Sequence, residues 1–274
     1  MDEARLFAQK VAVGAVLEGA QEVLARANVS AVVLKGAWLL TEVYPPDALR
    51  PTMDVDLLVR EMDFQVAMDA FKLAGFSVHV ADWREVVLRH AELPLPIDLH
   101  RAVFPRRTFA LGNAEVFTRS RASAWSALRF PGPLDGIANI VGHFALSRDL
   151  SDNLLKIDDI QIIADHFQLV PDSCAEHLCH VGLQRATRYV TEAIIAHTGA
   201  PQPFCEAVLN SLPVDPLGRA IVKVCRATLP RVPLDQPAGA LLTCLLERDM
   251  LHALMSGASR ARDVLTHRLL HRRR

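Results

Sequence analysis

The hydrophobic pattern of this chain changes once, near residue 130, and that change limits the folds it can adopt. Before it, short runs of β-branched apolar residues alternate with longer segments in which apolar side chains recur every three or four residues. After Phe130-Pro131-Gly132-Pro133 only the longer, helical pattern continues. Strands mixed with helices, followed by helices alone, indicate an α+β protein with a mixed sheet. We place one domain at residues 1–130 and an all-helical domain at 131–274.

The same periodicity predicts the individual elements. In the first region the expected order is helix, strand, helix, strand, helix and three strands, at 3–27, 29–34, 37–44, 52–59, 63–74, 77–81, 85–90 and 96–103. In the second region helices are predicted at 135–146, 151–167, 173–180 and 183–197, with further helical runs beyond them.

Composition and charge exclude several classes of protein. Of 274 residues, 51% are hydrophobic and 22% charged, so the chain buries a core instead of staying disordered. Its apolar runs fall short of the roughly 18 to 20 residues that a membrane span needs, and its acidic start is unlike a signal peptide. We therefore expect a cytoplasmic protein with no membrane partner. The net charge of −1 gives no general attraction to nucleic acid, and no DNA partner is expected.

The segment at 52–59, Thr-Met-Asp-Val-Asp-Leu-Leu-Val, suggests chemistry. In a strand, residues two apart point to the same side, so Asp54 and Asp56 project together from an exposed face, roughly 7 Å apart at Cα. Two such carboxylates are suitable ligands for Mg²⁺, which completes its coordination with water and substrate phosphates. By itself, however, this pattern is also typical of a solvated strand edge.

Two other segments favour a site. Lys35-Gly36 lies where a strand ends and a helix begins, a place where free backbone N–H groups attract phosphate. Ile97-Asp98-Leu99-His100 supplies a third carboxylate on an alternating strand, as a further metal ligand or as a base.

These segments together resemble a known family. The run VVLKGAWLLTEVYPPDALRPTMDVDLLV, a helix ending in Ala-Gly-Phe and the later PIDLH are similar to the uncharacterised nucleotidyltransferase family of the DNA polymerase β-like superfamily. The resemblance covers residues 25–105 well and 143–159 loosely. It implies that Asp54, Asp56 and Asp98 bind metal and carry catalysis. It also implies a nucleotide-binding set consisting of Lys35, Gly36, Arg50 and Thr52. We add His100 to this set, because it lies two residues past Asp98 and its side chain points the same way.

The individual assignments have simpler alternatives. Ala37 follows the glycine where the general superfamily signature has Gly or Ser, which removes a hydroxyl that would contact phosphate. Lys35 and Arg50 are also explained as solvated side chains, and His100 either orients Asp98, reaches substrate or is a plain surface histidine.

The helical region and the C-terminus add further candidates. The candidates of the helical region are His143, Lys156, Asp158 and Asp159. The resemblance implies that the histidine and one of the aspartates close over the active site. Without the resemblance, a helix with a buried histidine and solvated charges explains the same pattern. Six arginines within residues 260–274 either grip an anionic partner or belong to a solvated terminus.

The resulting hypothesis is a Mg²⁺-dependent nucleotidyltransferase. It would move a nucleoside monophosphate from a nucleoside triphosphate, expected to be ATP, to a hydroxyl of an acceptor that is a small molecule, a peptide or protein, or a tRNA. The alternative is a non-catalytic nucleotide-binding or regulatory module that keeps the same fold.

Overall fold

A computed structural model describes residues 3–48, 50–81, 85–104, 108–147, 158–198, 202–229 and 242–246. The chain divides into two compact units. The first is formed by Met1–Val103 and Leu111–Asn139, and the second by Phe104–Ala110 and Ile140–Arg274. The division at residue 139 lies inside a helix, and the boundary predicted at residue 130 stays a prediction.

The first unit contains a seven-stranded sheet with helices. Its helices are α1 (Glu3–Arg26), α2 (Lys35–Trp38, continued by a π-helical turn at Leu39–Val43), α3 (Phe64–Leu73) and α4 (Asn113–Arg119). Its strands are β1 (Ala31–Val33), β2 (Val55–Val59), β3 (Ser77–Ala81), β4 (Glu85–Arg89), β5 (Ile97–His100), β6 (Arg121–Ala122) and β7 (Leu128–Phe130). The predicted α+β class, with a mixed sheet, is confirmed.

The sheet places β2 and β5 side by side near its centre. The strand order is β3-β4-β5-β2-β1-β7-β6. β2 runs parallel to β5, and β1 runs parallel to β7, while the other neighbouring pairs are antiparallel. Every residue of β1 and β2 is buried, which explains their apolar and β-branched composition. Two buried neighbours hold β2 in one register, and this register positions the acidic side chains described below.

The order of elements up to β5 matches the prediction, whereas the region just after it was missed. The predicted helix at 63–74 begins with a 3₁₀ turn at Glu61–Asp63, and the predicted strand at 52–59 begins only at Val55. Helix α4 and strands β6 and β7 were not predicted. β6 has two residues and β7 three, and such short segments carry no measurable alternation.

The second unit is helical in its described part. Helix α5 (Pro133–Ser147) begins in the first unit, and α6 (Asp159–Phe167), α7 (Pro171–His180), α8 (Gln184–Thr198), α9 (Pro203–Ser211) and α10 (Pro216–Thr228) follow. Helices α8 and α9 pack on each other, and α10 packs on α8. Among the described residues, no helix combines the length and the apolar character of a membrane span.

The start of α10 provides a test of local stability. Asp215 Oδ1 accepts a hydrogen bond from the Gly218 backbone N–H at 2.9 Å, and Pro216 occupies the first turn. Asp215→Ala should lower the free energy of unfolding by about 1 kcal/mol in urea titrations, as loss of an N-cap does. The Gly218 bond, followed by the Arg185 charge, lowers the pKa of Asp215. Its contribution is therefore present above pH 4 and lost as the pH falls through the folded-state pKa.

The Asp215→Asn variant is the matched control for this cap. It keeps an acceptor oxygen and should lose much less stability at pH 7. Equal losses in the two variants would contradict the assigned cap.

Candidate functional site

Two carboxylates face each other across the parallel strands at the centre of the sheet. The register pairs Asp56 of β2 with Asp98 of β5. Residues paired in this way project from the same face of the sheet. Asp56 is 2% exposed, and Asp98 is half-buried. Asp56 and Asp98, called the carboxylate pair below, therefore belong to one site although 41 residues separate them in the sequence.

The burial of Asp56 corrects one expectation. The alternating pattern predicted that Asp54 and Asp56 share a solvent-exposed face, but all five residues of β2 are buried. Asp54 lies one residue before the strand and is half-buried. A buried carboxylate is stable only when it is paired and hydrogen-bonded, and the partners of Asp56 therefore define the site.

Both partners of Asp56 bind the same oxygen. Lys35 Nζ donates to Asp56 Oδ1 at 2.6 Å, and His100 Nε2 lies 2.8 Å from that atom. The other ring nitrogen, His100 Nδ1, lies 3.1 Å from Glu85 Oε2. Because each ring nitrogen faces a carboxylate oxygen, both nitrogens are placed to donate, and this arrangement favours the positively charged imidazole. We refer to Lys35, Asp56, Glu85 and His100 as the ion-pair cluster.

The ion-pair cluster changes the interpretation of two predicted residues. His100 is 3% exposed and contacts Asp56 and Glu85, so it is not a surface histidine. Lys35 has a φ of +47°, which is rare for a residue with a side chain, and its Nζ binds Asp56. Unusual backbone at such a position is typical of functional sites. Both residues hold Asp56 in place.

Glu85 was missed in the sequence. It begins β4, where its register partner is His100 of β5. The one clue was an acidic residue at the first position of a predicted strand. Its proximity to His100 depends on the antiparallel pairing of β4 with β5, which the sequence does not reveal.

The two carboxyl groups of the pair differ in proton affinity. Burial would raise the pKa of Asp56, but the charge of Lys35 and the hydrogen bond and charge of His100 outweigh it and hold that pKa well below its usual range. Burial, together with the charges of Asp56 and Asp54, raises the pKa of Asp98 to about 6. Burial alone would lower the pKa of His100, yet its bonds to Asp56 and Glu85 raise it. Asp56 therefore remains ionised at any ordinary pH, whereas Asp98 exchanges its proton near neutrality.

The carboxylate pair also forms a candidate cation site. One ligand atom each from Asp56, Asp98 and His100 lies within 4.8 Å of the others. Carboxylate oxygens suit a hard divalent cation, and Lys35 and His100 both bind Oδ1 of Asp56. Since both nitrogens of His100 face carboxylates, the chemistry of the donor set favours the two aspartates as the ligands. Asp54 is close enough to raise the pKa of Asp98, and its predicted metal role stays a prediction.

Gly36, Arg50 and Thr52 form a tight contact beside this cluster. Arg50 is 5% exposed and Thr52 3% exposed, and Arg50 Nη1 donates to Thr52 Oγ1 at 3.1 Å. A Cβ atom on Gly36 would lie 2.7 Å from each of these two polar atoms. The positive φ of this segment occurs at Lys35 and not at Gly36. Gly36 is required for the close approach of the two side chains.

This contact predicts the effect of the smallest substitution. Gly36→Ala should lower the free energy of unfolding by about 1–3 kcal/mol, the usual range for inserting a methyl group into a packed site. Gly14→Ala in α1 is the control, because nothing lies within 4 Å of the added Cβ there. The control should be neutral or gain up to about 1 kcal/mol. Equal stability of the two variants in urea titrations would contradict the packing described.

The helical-region candidates belong to the second unit. His143 is half-buried in α5, and Asp159 is only 1% exposed at the start of α6. Asp158 is exposed and accepts a bond from Gln202 Nε2 at 3.0 Å. The alternative that both aspartates are solvated is therefore wrong for Asp159. Lys156 and the arginines at 260–274 lie outside the described residues.

The fold and the site define an α+β protein with a carboxylate pair fit to bind a divalent cation. The sequence model of a family described as uncharacterised nucleotidyltransferase matches residues 7–196. This span is more than half of the chain and includes every element from β1 to α7. The chain therefore belongs to this nucleotidyltransferase family, and the suspected resemblance is confirmed. Neither the curated proteins nor the solved structures yield a match.

Proposed function

We propose that this protein is a Mg²⁺-dependent nucleotidyltransferase that transfers a nucleoside monophosphate from a nucleoside triphosphate, ATP by expectation, to a hydroxyl group. The observation that carries the proposal is the register pairing of Asp56 with Asp98 on adjacent parallel strands in a member of a nucleotidyltransferase family. Asp54, Asp56 and Asp98 would hold the metal. Bound there, Mg²⁺ would supply positive charge to stabilise the transferred phosphoryl group.

Asp98 is the residue suited to move a proton. Its pKa of about 6 leaves it mostly ionised at pH 7, yet more basic than an ordinary aspartate, which suits a general base. The acceptor hydroxyl would transfer its proton to Asp98 as its oxygen bonds to the α-phosphorus. The bond from that phosphorus to the bridging oxygen would break, and pyrophosphate would leave with its electron pair.

Lys35 and His100 have a positioning role in this proposal. Their bonds to Oδ1 keep Asp56 ionised and fix its orientation. Lys35 was expected to contact phosphate, but its Nζ would then have to leave Asp56. Arg50 and Thr52 pack against Gly36, and we propose that they support the Lys35-Gly36 segment, with phosphate contact limited to backbone N–H groups of that segment.

A non-catalytic nucleotide-binding module is the second candidate, and one observation favours it. The buried carboxylate of Asp56 is already neutralised by Lys35 and His100, so the ion-pair cluster is balanced without a metal ion. In such a module nucleotide would bind without any dependence on Mg²⁺ and without turnover.

Calorimetry separates the two candidates. Each of the four nucleoside triphosphates is titrated into the protein with Mg²⁺ and with EDTA. Binding that requires Mg²⁺ supports the transferase, whereas equal binding in EDTA supports the second candidate. Incubation of a cell extract with the enzyme and ATP labelled in its α-phosphate would then identify the acceptor. If no molecule in the extract gains the label and no Mg²⁺-dependent release of pyrophosphate is detected, transfer of adenylate is excluded.

A further inference from the structure

Helices α8, α9 and α10 of the second unit border a cavity of about 780 Å³. We call it the helical cavity. Its lining contains four cationic side chains and one acidic side chain, namely Arg188, Arg219, Lys223, Arg226 and Glu192. Most of the remaining lining residues are aliphatic. Its volume lies within the roughly 300–1,000 Å³ range of small-molecule sites.

The positions of the cations follow from helix geometry. Arg219, Lys223 and Arg226 are spaced by four and three residues on α10, which places them on one face. The buried residues Val222 and Cys225 of α10 form the adjacent stripe, which faces the core. Neighbouring α8 contributes Arg188 and Glu192, again four apart. Two packed helices therefore direct their charged stripes into one cavity.

The positive charge in the helical cavity is only partly neutralised. Glu192 forms ion pairs with two arginines. Arg226 Nη1 lies 2.9 Å from Glu192 Oε2, and Arg188 Nη1 lies 3.7 Å from Glu192 Oε1. Arg188 is 9% exposed, and its buried Nη2 has no hydrogen-bond acceptor within the part of the chain that the structure describes. Among those same residues, neither Arg219 nor Lys223 forms an ion pair. A buried guanidinium N–H normally finds an acceptor. The unbonded Nη2 of Arg188 therefore marks a place for an anion, and the exposed cations Arg219 and Lys223 line the same cavity.

We propose that the helical cavity binds the phosphate groups of a small phosphorylated molecule. Guanidinium groups bind phosphate oxygens in pairs, and a lysine ammonium adds a point charge. Four positive charges against one negative charge match the several charges of a di- or triphosphate. The aliphatic wall suits an uncharged part of the same molecule. A single-stranded nucleic acid would instead need a basic track with aromatic stacking platforms, and the helical cavity has no aromatic residue in its described lining.

The test uses the full chain and sodium tripolyphosphate, with EDTA present so that the carboxylate pair cannot contribute through a metal ion. Calorimetry should show one site. Affinity should fall at least about tenfold in the double variant Arg219→Ala/Lys223→Ala, since a lost charge-assisted bond contributes that much. Both side chains are exposed, so this variant should fold normally. The control is Arg26→Ala/Lys72→Ala, which removes two exposed cations from the first unit and should change affinity less than twofold.

Three further measurements make the outcome decisive. Hydrogen exchange should show tripolyphosphate protecting peptides of α8 and α10, and the Asp98→Asn protein should bind it as well as wild type does. Unchanged affinity in the double variant, protection elsewhere, or loss of binding in Asp98→Asn would overturn the proposal. Citrate binding as tightly as tripolyphosphate would overturn the choice of phosphate. RNA oligomers whose affinity keeps rising with length would assign the surface to nucleic acid instead.

Discussion

Replacement of Asp56 by alanine should abolish nucleotidyl transfer and should also lower the free energy of unfolding by about 3–5 kcal/mol, the range for removing one partner of a buried ion pair. The loss of activity follows from the loss of a metal ligand. The loss of stability follows because His100 would keep a buried positive charge, and Lys35 a partly buried one, without their shared acceptor. Single-turnover transfer of labelled nucleotide and urea titration measure the two effects separately.

Two companion variants separate the catalytic role of Asp56 from its structural role. Asp54→Ala should also lose transfer but should be destabilised much less, since Asp54 is half-buried and precedes β2. Lys35→Met in an Asp56→Asn background should restore much of the lost stability, because it removes one uncompensated charge, and should restore no activity. An Asp56→Ala enzyme that retains most of its transfer rate would remove Asp56 from the metal site. One with wild-type stability would contradict the ion-pair cluster.

Replacement of Asp98 by asparagine should reduce turnover at least about a hundredfold, the lower end of the effect of removing a general base. The substitution keeps the shape of the side chain and one ligating oxygen but removes its basicity. The affinity for Mg²⁺-nucleotide should therefore change far less than in Asp54→Ala. Titration of Mg²⁺-nucleotide into both variants, with single-turnover kinetics, compares them directly. Normal turnover of Asp98→Asn would leave the base unidentified.

The same variant makes a prediction about stability and pH. The folded-state pKa of Asp98, about 6, is higher than the roughly 3.9 of an unfolded chain. The folded protein therefore binds this proton more tightly, and the contribution of Asp98 to stability falls as the pH rises from about 4 to about 6. In EDTA, Asp98→Asn should consequently gain melting temperature relative to wild type at pH 7.5 and not at pH 4.5. An equal difference at both values would mean that Asp98 titrates normally.

Much of the first unit could be predicted because its pattern is local. Strand alternation and helical spacing are properties of neighbouring residues, and they located the elements from α1 to β5. The same alternation identified Asp56 and Asp98 as acidic groups on strands, whereas Asp54, which it also placed on a strand, lies one residue before β2. Strands β6 and β7 were not predicted because they are defined mainly by their pairing and contain only a few residues each. β6 pairs with β7, for example Arg121 with Phe130, and β7 pairs with β1.

The site itself depends on which strands become neighbours. Local alternation could state that Asp56 and Asp98 each project from a strand, but only the parallel pairing of β2 with β5 brings them opposite each other. The pairing of β4 with β5 brings Glu85 next to His100. Lys35, whose backbone is left-handed, binds Asp56. Local sequence patterns were therefore enough to predict the elements from α1 to β5 and to support the family resemblance. The burial, charge balance and proton affinities of the acidic groups follow from the fold, because they depend on residues that are distant in the chain and become neighbours only in the folded sheet.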